Sequence, residues 1–146
     1  MAARFGFAIA MVTALLAAPA AAQNGGGDPA GTYLTQAGDA RVRVSKCGAG
    51  ICGVVVWLRE PNNSAGKPQV DDKNPNPALA KRPMIGLPLF SGMKPVGPGK
   101  WSGTIYNADD GGTYASSISV SGASTLRVEG CVGALCGGET WTRTGH

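Results

Sequence analysis

The chain has 146 residues, with 13 Lys and Arg against 9 Asp and Glu and a formal net charge of +4. This charge is mildly basic and the basic residues are scattered, which argues against a nucleic-acid-binding surface. The one histidine is His146, at the end of the chain, so the composition excludes Ser-His-Asp and Cys-His catalysis of the usual kind and multi-histidine metal sites.

The first 22 residues have the layout of a secretory signal peptide. Arg4 precedes an almost wholly apolar run over residues 5–16, which is too short to span a bilayer comfortably, and three alanines at 20–22 offer a cleavage site. We predict that residues 1–22 are cleaved near Ala22/Gln23. The mature bacterial protein is then periplasmic or secreted, with no transmembrane segment after cleavage. An uncleaved membrane anchor is the alternative.

The mature chain is predicted to consist of a flexible leader over the Gly-rich residues 23–29 and a single domain over residues 30–146. Within the domain, apolar and β-branched runs are separated by short links that contain Gly, which predicts about eight strands in an antiparallel meander. The predicted strands cover residues 31–35, 41–47, 51–58, 84–91, 100–106, 113–120, 125–130 and 139–143.

Alternation along these strands gives the sheet one apolar and one polar face. Val42, Val44, Leu126 and Val128 are among the predicted inward residues. A meander of eight strands with one apolar face most economically closes on itself, because closure removes the exposed edges. The sequence therefore predicts an all-β protein with a roughly eight-stranded closed barrel, and a β-sandwich is the alternative fold.

The connection over residues 71–93 interrupts this series of strands. The strand before it, residues 51–58, is apolar on both faces, so its outer face needs a cover. An Asn-Pro pair can start a helical turn and Pro83 can end it. We predict a short helical turn near residues 77–82 whose Leu79 packs over the outer face of that strand.

The four cysteines fall in two pairs, each with four residues between its members. In an exported chain they imply two disulfides, for which three connectivities are possible. Each pair flanks a Gly-containing link between two predicted strands, so its members can lie opposite each other across a hairpin. We therefore favour Cys47–Cys52 and Cys131–Cys136. A four-cysteine zinc site and a redox pair are less consistent with this spacing and with export.

No motif in the chain predicts a catalytic or metal centre. The run from Asp72 to Asn76 offers oxygen atoms at alternate positions, as a calcium loop does, but lacks that loop's glycine and its final bidentate acid. The acidic pairs at 71–72 and 109–110 are neighbours in predicted turns rather than groups that face each other across a cleft. We expect no metal and no cofactor, and an enzyme is the less favoured interpretation.

A further set of motifs occurs in order along nearly the whole mature chain. They are Cys47…Cys52-Gly53…Val56-Trp57-Leu58, Asp72-Lys73-Asn74-Pro75-Asn76-Pro77, Leu79…Arg82-Pro83…Gly86-Leu87, Trp101-Ser102-Gly103-Thr104-Ile105-Tyr106, Gly112-Thr113-Tyr114 and Gly130-Cys131…Trp141-Thr142-Arg143. Together they resemble the domain-of-unknown-function family 2147 of exported bacterial proteins. The resemblance implies a compact lipocalin-like barrel, with no accepted activity and no catalytic residues to transfer. Where that family often has an acid and Gly-Lys before Tyr114, this chain has Gly111-Gly112-Thr113.

The resemblance to lipocalins also suggests a contact at the base of the barrel. Those barrels open with G-x-W and carry a late Arg over the Trp ring, whereas this chain opens with Gly31-Thr32-Tyr33 and ends its last predicted strand with Arg143. We expect Arg143 to stack on Tyr33.

The favoured function is a small barrel that binds a small apolar or amphipathic ligand. The candidate binding residues are Trp57, Asp72, Asn74, Arg82, Trp101, Tyr106 and Tyr114. The alternative is a structural or protein-interaction module of the cell envelope without a cavity. A barrel of eight strands can be filled or can hold one small ligand, and the large inward residues Trp101, Tyr114 and Ile118 favour a filled interior. The sequence leaves the oligomeric state open.

Overall fold

The computed structural model describes residues 27–145. The predicted signal peptide over residues 1–22, residues 23–26 of the predicted leader, and His146 lie outside the described residues. Eight antiparallel strands follow one another around a closed barrel, and β8 pairs with β1 to complete it. The strands are β1 (Gly31–Leu34), β2 (Ala40–Cys47), β3 (Gly50–Leu58), β4 (Pro88–Gly97), β5 (Lys100–Asn107), β6 (Gly112–Val120), β7 (Thr125–Val132) and β8 (Leu135–Arg143). The predicted closed barrel is confirmed, and the β-sandwich is not formed.

Two strands, β4 and β8, differ from their predicted extents by more than two residues at one end or both. β4 begins at Pro88 rather than at residue 84, and it continues to Gly97 through a register irregularity next to Pro95. β8 begins at Leu135, because the Gly137-Gly138 pair lies inside the β7–β8 ladder. In both places the prediction treats Gly and Pro as part of a connection between strands. A strand can contain these residues at a bulge or opposite a well-ordered partner strand.

One half of the barrel interior is filled by apolar side chains. These buried residues come from seven of the eight strands, with Trp101 packed against them from β5. They are Tyr33, Val42, Val44, Ile51, Phe90, Met93, Ile118, Leu126, Val128 and Trp141. The predicted inward positions Val42, Val44, Leu126 and Val128 are all among them, as period-two alternation requires. We call the end of the barrel that holds the start of β1, the end of β8 and the β2–β3, β4–β5 and β6–β7 turns the base.

The predicted helical turn near residues 77–82 is wrong. The segment makes two successive turns instead, with hydrogen bonds from the Leu79 amide to the Asn76 carbonyl and from the Arg82 amide to the Leu79 carbonyl. Prolines at 77 and 83 leave too few residues between them to nucleate a helix. Within residues 27–145 the structure has no helix, and so none with the length and apolar character of a membrane span.

The outer face of β3 carries Trp57. Val55 lies inward by alternation with Ile51, and a register shift opposite Arg41 and Val42 then places Trp57 on the outer wall. There the guanidinium of Arg41 lies 4.5 Å from the centre of the Trp57 ring. Leu79 is 37% exposed. A cation from the neighbouring strand therefore lies against the Trp57 ring, and packing of Leu79 over this face stays a prediction.

Both predicted disulfides are present, and they lie at opposite ends of the barrel. Cys47–Cys52 closes the β2–β3 hairpin at the base, and Cys131–Cys136 closes the β7–β8 hairpin at the other end. The expected stack of Arg143 on Tyr33 is confirmed, with the guanidinium carbon 5.3 Å from the ring centre. Arg143 also donates a hydrogen bond of 2.9 Å to the Tyr33 hydroxyl. Cation–π and hydrogen-bond contacts therefore close the base.

Candidate ligand-binding cavity

A cavity of about 1030 Å³ occupies the end of the barrel opposite the base, which we call the mouth. Its walls are the mouth-side halves of the strands together with the β1–β2, β3–β4, β5–β6 and β7–β8 connections. This volume lies at the upper end of the roughly 300–1,000 Å³ typical of small-molecule sites. The barrel is therefore filled at its base and hollow at its mouth, which answers the question that the sequence leaves open.

The hollow half arises from the small size of its inward residues. Along the β7–β8 pair, the inner face changes from Leu126 opposite Trp141, through Val128 opposite Glu139, to Gly130 opposite Gly137. A Cβ added at Gly137 meets no atom within 4 Å, and one at Gly130 meets its nearest atom at 3.6 Å. Because neither position carries a side chain, this part of the wall leaves space that larger residues would fill.

Glu139 places a carboxylate on the inner wall of the cavity. The residue alternates with Trp141, which is buried in the core, so the two side chains share the inner face of β8. The Trp141 indole Nε1 donates a hydrogen bond of 2.5 Å to Glu139 Oε1. Val128 lies directly across the ladder from Glu139 and also lines the cavity. The indole thus holds one carboxylate oxygen in a defined position beside apolar surface.

The long β3–β4 connection is held to the barrel by Asp71, whose side chain is completely buried. Its carboxylate accepts hydrogen bonds from Tyr106 Oη at 2.5 Å, Asn74 Nδ2 at 2.9 Å and Arg82 Nε at 2.9 Å. Three donors satisfy a carboxylate that could not otherwise stay charged away from water. Because Tyr106 belongs to β5, this cluster fixes the connection over the barrel wall beside the mouth.

The same contacts shift two pKa values. Burial alone would raise the pKa of Asp71, but the hydrogen bonds from Tyr106, Asn74 and Arg82 outweigh burial and hold the pKa below its usual value. For Tyr106, burial and the hydrogen bond to the Asp71 carboxylate both raise the pKa of the phenol. Asp71 is therefore ionised and Tyr106 is a neutral donor at neutral pH.

A second tyrosine–aspartate pair lies on the β5–β6 turn. The Tyr114 hydroxyl donates to Asp110 Oδ2 at 2.5 Å, which raises the pKa of Tyr114 and lowers that of Asp110. The ring folds back over the turn, so a Cβ at Gly112 would meet the Tyr114 hydroxyl at 2.7 Å. Gly111 has a φ of 74°, and any side chain there would collide with the Lys73 carbonyl. The turn and the β3–β4 connection are therefore packed directly together at the mouth.

The candidate residues from the sequence lie in three different places. Asp72, Tyr106 and Tyr114 line the cavity. Asn74 and Arg82 surround Asp71 with Tyr106, so they position the β3–β4 connection. The two tryptophans are elsewhere, because Trp57 lies on the outer wall under Arg41 and Trp101 packs against the filled core.

Sequence reasoning assigned no role to Asp71 or Glu139. The partners of Asp71 are 3, 11 and 35 residues away, and no local pattern connects them. Glu139 did carry a usable signal, because it alternates with Trp141 and Arg143 on one strand. An acid on the same strand face as a core tryptophan is placed toward the interior.

The rim of the mouth includes two exposed apolar side chains. Val132 and Leu135 face each other across the tip of the β7–β8 hairpin and are 65% and 81% exposed. Both residues line the opening of the cavity. In the part of the chain from 27 to 145, no three side chains of the His, Cys, Asp or Glu types come together as metal ligands would.

Comparison with known proteins agrees with this architecture. Residues 31–143 match the sequence profile of the family described as an uncharacterized protein conserved in bacteria (DUF2147). The chain belongs to this family. The resemblance drawn from its motifs is thus confirmed, and the matched range covers the whole DUF2147 barrel from β1 to β8. Among curated proteins, none matches the chain.

A solved structure supports the fold of this DUF2147 protein. Protein HP1028 from the human pathogen Helicobacter pylori, which belongs to the lipocalin family, is similar with a TM-score of 0.69. The two chains share 22% sequence identity, and the similarity covers 81% of this chain and 84% of the other. At this identity the similarity shows the fold alone, and the DUF2147 barrel is lipocalin-like.

Proposed function

We propose that this protein is an exported barrel that binds one small amphipathic ligand in the cavity at its mouth. The observation that carries the proposal is the cavity itself, about 1030 Å³ in a barrel whose other half is filled. Its inner wall combines apolar side chains such as Val42, Val55 and Ile105 with the polar groups of Ser116 and Glu139, and most of its other charged lining residues lie on the connections around the opening. Ligand sites have this composition, because apolar surface supplies affinity and a few polar groups supply orientation.

The opposing glycines support a binding role for the hollow half. A barrel of this size can be closed by ordinary side chains, as the base demonstrates. At the mouth, Gly130 of β7 and Gly137 of β8 instead lie opposite each other, so neither strand projects a side chain into the interior at that level. Bare backbone in a strand is a position where a ligand can approach closely.

The polar residues at the mouth have two proposed roles. Tyr106, Tyr114 and Asp72 line the cavity and are proposed to contact the ligand. Asn74 and Arg82 are proposed to act as positioning residues, since they contact Asp71 and, in the case of Arg82, the Tyr106 ring, but do not line the cavity. We retain Trp57 and Trp101 as structural residues of the wall and core, and we do not propose that they contact the ligand.

Export to the periplasm or the medium is part of the proposal. Its support is the signal-like order of residues 1–22 together with two disulfides, which persist in oxidising compartments. The exposed apolar residues Val132 and Leu135 at the rim are consistent with entry of an amphipathic molecule.

Native mass spectrometry of the protein purified from the bacterial envelope tests this function. We expect a small molecule bound to the wild type and lost from Gly137→Phe, whose ring enters the free space above Glu139. Gly97→Phe is the matched control, because a Cβ at Gly97 also meets nothing within 4 Å but lies at the base end of β4. This control is expected to keep the bound molecule.

Titration with the neutral fluorescent probe N-phenyl-1-naphthylamine covers the case in which the natural ligand is lost during purification. Enhanced fluorescence with the wild type and Gly97→Phe, but not with Gly137→Phe, supports the cavity as the binding site. Equal fluorescence with all three proteins contradicts the proposal. A protein that co-purifies in place of a small molecule contradicts it as well and favours the envelope-interaction alternative.

A further inference from the structure

We infer that the cavity selects amphiphiles whose polar head carries a positive charge, and that Glu139 is the anchor for that head. This inference rests on the proposed function, since it names the chemical class of the ligand for the same cavity. It is carried by the position of one carboxylate and by the distribution of charge around the cavity.

The charge of the cavity lining is opposite to that of the chain. The whole chain is basic, with 13 Lys and Arg against 9 Asp and Glu. Six of those nine acids line the cavity, whereas its lining cations are Arg59 and Lys73. The lining acids are Asp39, Glu60, Asp72, Asp109, Glu129 and Glu139. A concave site with an excess of one sign of charge concentrates ions of the other sign, so this mouth attracts cations.

Two of these acids already have partners of their own. Glu129 pairs with Arg127, whose Nε lies 3.3 Å from Glu129 Oε1. Asp39 accepts a hydrogen bond of 2.7 Å from the Thr35 hydroxyl. Across residues 27–145 the ion pairs are Arg127–Glu129 and Arg82–Asp71, and neither involves Glu139. The described part of the chain therefore offers Glu139 no cation, and a ligand can provide one.

The geometry around Glu139 suits a single charged group. The hydrogen bond from Trp141 Nε1 to Glu139 Oε1 orients the carboxylate. Within residues 27–145 no other hydrogen bond is made to this side chain, so Oε2 is free to accept a ligand. Val128 and Gly137 flank it on the inner wall, so a tail attached to the bound cation lies against apolar surface and open space. A charge-assisted contact in such surroundings is stronger than one in water.

Calorimetric titration with three probes of decyl chain length tests this inference. Decyltrimethylammonium, decanol and decanoate differ in head charge; the two ions are used below their critical micelle concentrations and decanol below its solubility limit. We expect the wild type to bind the cation about tenfold more tightly than decanol, and decanoate most weakly. Added salt is expected to reduce the advantage of the cation, because it screens the attraction.

Glu139→Gln removes the charge and retains an oxygen that can accept the Trp141 indole hydrogen bond. It is expected to lose about tenfold in affinity for decyltrimethylammonium while binding decanol as the wild type does. Asp28→Asn is the matched control, because it removes one acid at the base and keeps the side-chain oxygen that accepts from Ala30. Its affinities for all three probes are expected to be unchanged.

The outcomes separate this inference from the proposed function. Equal binding of the three probes to the wild type overturns cation selection and leaves the binding barrel standing. A cation preference that survives in Glu139→Gln overturns the assignment of Glu139. If no probe binds the wild type more tightly than Gly137→Phe, the proposed function itself is wrong.

Discussion

The base and the mouth of this barrel are built from the same strands and differ in what lies between them. At the base the interior is closed by large side chains such as Ile118, Leu126 and Met93. At the mouth Gly130 and Gly137 stand opposite each other and the interior is open. The size of the inward residue at each level, and not the barrel fold, therefore decides whether this interior can hold a ligand.

The two ends also differ in how they are held together. The base is closed by Arg143, which donates to the carbonyls of Asp28 and Ala30 and to the Tyr33 hydroxyl. The mouth is bordered by a long connection fixed by the buried carboxylate of Asp71. Hydrogen bonds from the Arg143 cation thus close the base, whereas hydrogen bonds to the buried Asp71 anion organise the mouth.

The largest expected contrast comes from the same substitution made at each end. Leu126→Ala empties a fully buried position and is expected to lower the free energy of unfolding by about 3 kcal/mol. Leu89→Ala, at a half-buried position that lines the cavity, is expected to lose about 1 kcal/mol, because its neighbourhood is already open. Urea denaturation measures both values. Equal losses would mean that the mouth is packed as tightly as the base.

An intermediate effect is expected from removing the charge at Asp71. Asp71→Asn is expected to lower the free energy of unfolding by about 2 kcal/mol near neutral pH, because hydrogen bonds to a charged acceptor are lost. Tyr106→Phe removes one of the three donors and is expected to lose about 1 kcal/mol. Chemical denaturation at neutral pH checks this order, and a larger loss for Tyr106→Phe contradicts it.

The Asp71 contribution also has a predicted pH dependence. The pKa of Asp71 is lower in the folded protein than the usual value of about 3.9 for an aspartate in an unfolded chain. Its stabilisation is therefore fully present above that usual value and is lost as the pH falls through the folded pKa. Unfolding curves of the wild type and Asp71→Asn are expected to converge in acid. A constant difference down to acidic pH contradicts this account of the mouth.

The smallest effect is expected from the clamp at the base. Arg143→Ala is expected to lower the free energy of unfolding by about 1 kcal/mol, since it removes exposed hydrogen bonds and one cation–π contact. Arg59→Ala at the mouth is the control and should change stability by less than about 0.5 kcal/mol. Probe binding should be unaffected by Arg143→Ala. Loss of binding in this variant would show that the two ends are coupled.

Most of the barrel could be predicted from sequence because the signals for it are local. Alternation of period two and Gly-marked turns identify eight strands, and the equal spacing of the two cysteine pairs identifies their disulfides. The ends of β4 and β8 were predicted wrongly because Pro95 and the Gly137-Gly138 pair are tolerated inside hairpin ladders, and the sequence does not state the pairing register that admits them. The helical turn predicted near residues 77–82 is wrong because the tertiary contact to Asp71, and not local helix propensity, determines the conformation of this segment.

The cavity could be predicted only in part. Tyr106 and Tyr114 are among the candidate binding residues predicted from the sequence, and both line the mouth. The level at which large residues give way to glycines depends on the β7–β8 register, which the sequence does not state. To predict Glu139 as a binding residue, one must know that it lies on the inward face of β8 and that the barrel is hollow at its level.

The most direct test of the filled base and hollow mouth is a two-dimensional NMR titration of the amide groups with decyltrimethylammonium. The account predicts that the largest chemical-shift changes cluster at the mouth, around Val128, Gly130, Gly137 and Glu139, while base residues such as Ile51 stay fixed. Shifts concentrated on the outer wall around Trp57, or no shifts at concentrations that saturate binding, would contradict it.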